Sequence, residues 1–213
     1  MTNYEIIDSD TLKIIKLSPD TINLIFKYNK IILHDDVNKI LPELPNSLTH
    51  LTLGYYYNQP LPDLPQSLTH LTLGDCYNQR LDNLPQSLTH LTLGWDYNQR
   101  LDNLPQSLTH LTLGSSYNYS LDYLPQSLLY LDIKNGYNQS LNNLPNNLQT
   151  LIIDCEYDKT LDMLPDSIET LDIKHYNDKI NKLPQNLKEI IISNKYNYIN
   201  DLLLLKPNII IKN

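Results

Sequence analysis

The sequence contains no alanine, one valine (Val37), one phenylalanine (Phe26), one tryptophan and only five glycines and two cysteines in 213 residues. The absence of alanine removes the best helix former, which predicts strands and turns in place of helices. An A/T-rich genome would give the same bias toward Asn, Ile, Lys and Tyr, so composition alone leaves both origins open. Arginine occurs only at Arg80 and Arg100, and the net charge is −8. Nucleic-acid binding needs a basic stripe, so that class is excluded. The longest late apolar run, Leu202 to Leu205, is far too short to span a membrane. The start, MTNYEIIDSD, has acids where a secretory signal has a basic region and an apolar core, so a cytoplasmic location is expected. There is no nucleophile motif, no glycine-rich phosphate loop and no Cys/His spacing for metal. A non-enzyme without cofactor or metal is the expectation.

What the chain does have is repetition. The stretch LPQSLTHLTLGDCYNQRLDN, Leu64 to Asn83, is written again and again. The Leu-Pro pair recurs at 44, 64, 84, 104, 124, 144 and 164, twenty residues apart, and at Leu183-Pro184 after a one-residue deletion. A fixed period of this length implies a solenoid, a stack of coils that share one core. Within a unit Leu68, Leu71 and Leu73 follow L-x-x-L-x-L, so residues 70–73 alternate as a short strand. Gly74 lets the chain leave the strand, Tyr77-Asn78 follow in a turn, and Leu81, Leu84 and Pro85 lead back. Twenty residues leave no room for a full helix, so the return is extended or at most a 3₁₀ turn. Coils stacked about 4.8 Å apart would form one parallel sheet, with each repeat position making a column.

The columns are explicit: Tyr57, Tyr77, Tyr97, Tyr117, Tyr137, Tyr157, Tyr176 and Tyr196, with Asn58, Asn78, Asn98, Asn118 and Asn138 beside them. A buried Asn there could tie the turn of one coil to the next. These units resemble FNIP repeats, a short leucine-rich-repeat relative known mainly from slime moulds and giant viruses, with YNQ where that family has Phe-Asn-Ile. They are also similar to the short LPxLP repeats of bacterial effectors. The resemblance covers about residues 44–200. It implies protein interaction in place of catalysis, in the host cytoplasm if the chain is viral. The fold expected is a mainly β, right-handed leucine-rich-repeat-like stack of about eight 20-residue coils, with one parallel sheet and irregular or 3₁₀ returns. Residues 1–43 are assigned to an N-terminal cap, 44–200 to the repeats and 201–213 to a C-terminal cap strand. Within the first, LSPDTINLIFKYN faintly echoes the start of an F-box; a ubiquitin-ligase substrate receptor is the weaker alternative that follows.

Candidate chemistry lies on the outward rows. His50, His70, His90 and His110 form a straight column, whereas a metal site needs converging ligands, so a stacked polar ladder is the expectation. The row continues as Tyr130, Thr150, Thr170 and Glu189. The threonine columns read as β-branched residues on an exposed sheet face. Asp132 and Asp172 sit beside Lys134 and Lys174, which predicts salt-paired surface. Cys76 and Cys155 are about four coils, roughly 19 Å, apart and cannot form a disulfide. In the first four coils variety is confined to the two residues after Gly: Tyr55-Tyr56, Asp75-Cys76, Trp95-Asp96 and Ser115-Ser116. From the fifth coil the face itself changes, through Tyr130, Asp132, Ile152, Asp154 and Asp172. Tyr55, Tyr56, Trp95, Tyr130, Asp132, Ile152, Asp154 and Asp172 are therefore the candidate partner-binding residues, aromatic anchors ringed by acids that face a basic or mixed protein. A rigid spacer without a specific partner is the other reading, favoured by the uniformity of the first four coils.

Overall fold

The structure is a computed structural model that describes residues 3–207 and 209–212. The chain enters with β1 (Tyr4–Ile6), β2 (Thr11–Ile14), helix α1 (Pro19–Ile25) and β3 (Lys30–Leu33). Each SLTHLTLG segment then gives a three-residue strand: β4 (His50–Thr52), β5 (His70–Thr72), β6 (His90–Thr92) and β7 (His110–Thr112). The diverged units follow as β8 (Tyr130–Ile133), β9 (Thr150–Ile153), β10 (Thr170–Asp172) and β11 (Glu189–Ile191). Helix α2 (Ile199–Leu205) and β12 (Ile210–Lys212) complete the array. All belong to one 12-stranded sheet in sequence order. Only the β1–β2 pair is antiparallel. Equivalent residues pair coil to coil, as in His50↔His70 and Leu51↔Leu71.

The parallel sheet runs from β2 to β12, a solenoid of about ten turns where the period predicts about eight. The additional turns lie outside the Leu-Pro period. TLKI and KIIL keep the inward alternation, Leu12, Ile14, Ile31 and Leu33 being buried, but lack the Leu-Pro and Tyr-Asn marks. Their coil is closed by α1, where Ser18 caps the N-terminus and exchanges hydrogen bonds with Thr21. In the repeats the returns are irregular, and each coil folds at two corners. The Pro65 carbonyl accepts from the Leu68 N–H at 3.0 Å, and the Gly74 carbonyl from the Tyr77 N–H at 3.0 Å.

Three ladders join the coils beneath the surface. The leucine rows Leu48–Leu51–Leu53 and their equivalents are almost wholly buried, and Tyr57, Tyr77, Tyr97 and Tyr117 are 0% exposed. Burial pushes the Tyr57 phenol up to about 12. The Asn58 Oδ1 accepts the Asn78 N–H at 3.0 Å and the Gln79 Nε2 at 3.1 Å, and this pattern repeats along the column. The Asn column thus ties coil to coil as expected, although its members are half-buried or exposed. The Ser67 hydroxyl and its equivalents at Ser87, Ser107, Ser127 and Ser167 donate to the carbonyl of the preceding coil's leucine.

The step between coils depends on where it is measured. Successive His rings are 4.1–4.2 Å apart and nearly parallel, whereas successive Tyr rings in the core are 6.3–6.5 Å apart. Equivalent groups in near-identical units report the local displacement of the stack. The array therefore bends with the sheet face on the inside, and the outward strand residues line a concave surface.

Candidate functional site

The concave face is built by the first and third residues of each strand, which point away from the core. The imidazoles of His50, His70, His90 and His110 stack face to face, and Tyr130 extends the row at 5.5 Å from His110. Thr69 Oγ1 lies 3.1 Å from the Thr49 carbonyl and 2.8 Å from His70 Nδ1, so each hydroxyl bridges the backbone of the preceding coil and the imidazole beside it. The same pair of contacts recurs at Thr89 and Thr109 and fixes the ring orientation down the column. Partial burial is the first cause holding His50, His70 and His90 below the ordinary 6.5, followed by Lys30 and His90 at His50, by His50, His110 and Lys30 at His70, and by His70 and His110 at His90. The rings run in parallel without converging, and no group of three or more His, Cys, Asp or Glu among the described residues could hold a metal.

From β8 onward charged residues enter the face beside Tyr130, Thr150, Ile152 and Thr170. Lys134 Nζ lies 2.9 Å from Asp132 Oδ2 and 3.6 Å from Asp154, and His175 Nε2 lies 3.2 Å from the other Asp154 oxygen. Lys174 pairs with Asp172 at 3.3 Å. Burial alone would lower the Lys134 ammonium, but the hydrogen bond and charge of Asp132, with Asp154, raise it above its usual value. One candidate departs from the expected exposed acid. Asp132 is only 7% exposed, because its strand neighbours Thr112 and Ile152 flank it and Lys134 pairs with it. It pairs with Lys134 from within the sheet. Beside this chain of ion pairs a cleft of about 570 Å³ opens, lined among others by Asp158, Lys174, His175, Asp178 and Lys195.

The remaining candidates sit elsewhere. Tyr55, Tyr56 and Trp95 lie on the turns just past the strands, all exposed, with the Tyr55 and Tyr56 rings edge to face at 4.7 Å. The proximity of Cys76, followed by partial burial, Asp75, Tyr56 and Asp96, raises the pKa of the Tyr55 phenol. Trp95 is tied down by its backbone N–H, which donates to Asp75 Oδ1 at 3.3 Å. The eight candidates therefore divide into an aromatic turn edge on the early coils and a charged concave patch on the later ones, where Tyr130, Ile152, Asp154 and Asp172 are half-buried. Thr49, Thr69, Thr89 and Thr109, which as β-branched residues read only as strand formers, place their hydroxyls against the imidazoles and orient them. The signal was present: a Thr immediately before every His. Cys76 and Cys155 are both free, as their spacing requires. No helix among the described residues is long and apolar enough to cross a membrane.

Comparison with solved structures places this architecture among leucine-rich-repeat folds. CroV588, from a giant virus and described as a novel circular leucine-rich-repeat protein, is 34% identical with a TM-score of 0.68, over 80% of this chain and 28% of that one. The chain thus spans 28% of the length of that relative. YopM from Yersinia enterocolitica WA-314 matches at 22% identity and a TM-score of 0.46, over 79% of this chain and 51% of its own. No curated protein matches the chain. The model of the FNIP repeat matches residues 38–76, 57–96, 77–103, 97–136 and 137–176, well over half of the sequence. With its Leu-Pro period, tyrosine column and asparagine ladder accounted for by that match, the chain belongs to the FNIP-repeat family.

Proposed function

We propose that this protein is a non-enzymatic scaffold that binds another protein through its concave sheet face and the adjoining turns. The observation that carries this reading is where the repeats differ. The inward leucine, isoleucine and tyrosine columns persist from coil to coil, while the outward positions change from His and Thr to Tyr130, Ile152, Asp154 and Asp172. Leucine-rich-type repeats typically mediate protein interaction, which supports the same conclusion. The contact surface would extend from Trp95 to Asp172, with Asp132 acting through Lys134. Affinity capture from the native cell, comparing the parent with Trp95→Ala, Tyr130→Ala and Ile152→Ser, tests this once circular dichroism shows each variant folded. Loss of one reproducible protein in at least one variant is expected. Undiminished recovery in all three would remove this surface from consideration.

The rigid-spacer alternative keeps one observation of its own, the identical His-Leu-Thr strands of β4 to β7. It predicts recovery with bulk assemblies and no individual partner. In the ubiquitin-ligase alternative, LSPDTINLIFKYN, folded as α1 and the turn into β3, would be the segment that binds the ligase partner.

A further inference from the structure

The aromatic turn edge allows a more specific reading, which rests on the protein-binding role proposed above. Tyr55, Tyr56 and Trp95 are 46%, 54% and 58% exposed, whereas Tyr57 and Tyr97, one or two residues later, are 0% exposed. The core is already filled at this level by the tyrosine column, so these rings contribute little to packing. Three carboxylates lie among them, Asp35, Asp75 and Asp96. Among the described residues none of the three is within ion-pair distance of a Lys, Arg or His. Exposed ring faces beside unneutralised acids, on a chain of net charge −8, are complementary to a cationic and apolar partner.

The backbone decides the conformation of that partner. The N–H groups of Tyr55, Tyr56, Cys76, Trp95 and Asp96 all donate within the coils, and the carbonyls of Tyr55, Asp75 and Trp95 all accept. A peptide adding as a β-strand would find these groups already occupied. A polyproline II segment makes no such demand, because its backbone stays solvated and it docks through ring faces. The spacing agrees. At this level the coils are joined by backbone hydrogen bonds, Cys76 N–H to the Tyr55 carbonyl at 2.9 Å and Asp96 N–H to the Asp75 carbonyl at 2.7 Å, so the backbones of Tyr55 and Trp95, two coils apart, are about 9.6 Å from each other. One polyproline II turn advances about 9.3 Å.

We infer that the edge formed by Tyr55, Tyr56 and Trp95, with Asp35, Asp75 and Asp96, binds a proline-rich segment bearing arginine or lysine in polyproline II conformation. Prolines one turn apart rest on the rings of successive odd coils, and the cation lies between Asp75 and Asp96.

Trp95 is the sole tryptophan, so its fluorescence reads binding directly. The full chain would be titrated with a synthetic arginine-flanked proline-rich peptide. The controls are a glycine-serine peptide with the same arginines and a proline-rich peptide with glutamates in their place. Saturable change is expected with the first peptide alone, weakening as salt is raised. The double variant Asp75→Asn/Asp96→Asn should weaken it about fivefold to tenfold, as loss of partly exposed ion pairs does. Equal binding by the glycine-serine control would overturn the conformational assignment. Absence of binding by the first peptide, checked by calorimetry, would overturn the inference altogether. If Trp95→Ala still lost a captured protein in that case, the scaffold reading would stand with a different class of ligand. If it lost none, this edge would have no part in either.

Discussion

At the residue scale the tyrosine column separates two effects that its regularity conceals. The hydroxyls of Tyr77, Tyr97 and Tyr117 are buried without a hydrogen-bond partner among the described residues, whereas Tyr157 donates to the Gln139 carbonyl at 3.0 Å and Tyr196 to the Asp178 carbonyl at 2.9 Å. A buried hydroxyl without a partner carries its desolvation cost uncompensated, and a paired one recovers it. Tyr97→Phe should therefore leave the melting temperature unchanged or raise it. Tyr157→Phe should cost about 1 kcal/mol. Denaturant titration of both variants checks the contrast, and a Tyr97→Phe change as costly as Tyr157→Phe would contradict it. The column itself was legible from the period, but the fate of each hydroxyl was not. That depends on where the return backbone passes, which differs between early and late coils.

At the scale of the strand and its turn, the glycines have a reason other than conformational freedom. Gly54, Gly74, Gly94 and Gly114 have ordinary backbone angles. A Cβ on Gly94 would fall onto the carbonyl oxygen of Gly74 in the coil before it. Gly94→Ala should consequently destabilise by about 3 kcal/mol, since backbone must move to admit the methyl group. Ser116→Ala, at an exposed turn position, should be neutral. Equal chemical-denaturation midpoints for the two would refute the close-approach account. The His ladder acts across four strands. Since His50, His70 and His90 bind protons less readily when folded, chiefly through burial, the unfolded chain holds more protons below pH 6.5. Stability is therefore full above that value and falls as pH drops from it through the lower folded values. Lys30 on β3, which faces His50, adds to the penalty. Replacing all three with Thr, the residue that β9 and β10 carry in this row, should flatten the melting temperature between about pH 7.5 and 5 relative to the parent. An unchanged slope would show that other groups set the acid sensitivity.

At the scale of the whole molecule, stability belongs to the stack, because each coil contacts only its neighbours and buries its face against them. Leu111 is 0% exposed at the centre of β7. Leu111→Asp places a charge there without a partner and should unfold the array on both sides, whereas His110→Ser, one residue away on the concave face, should change the melting temperature little. Circular dichroism distinguishes them, and a more damaging His110 change would reverse the assignment of faces. Much of this was determined by the sequence alone. A twenty-residue period with alternating leucines admits only a short strand, a turn and an irregular return, and equal periods force equivalent residues into columns. The parallel sheet and the identity of the inward rows follow from that arithmetic, and the family from the likeness of the units to FNIP repeats. The two ends were legible only as caps, because β2, β3 and β12 keep the alternation but lose the Leu-Pro mark; only pairing with a neighbouring strand makes them coils. The surface was not legible. Whether an acid on the outward row is exposed, as Asp154 and Asp172 partly are, or enclosed, as Asp132 is, depends on side chains twenty residues away in both directions. The bend of the array, which makes one face concave, arises from unequal packing distances at the His and Tyr rows, and no single repeat contains that difference.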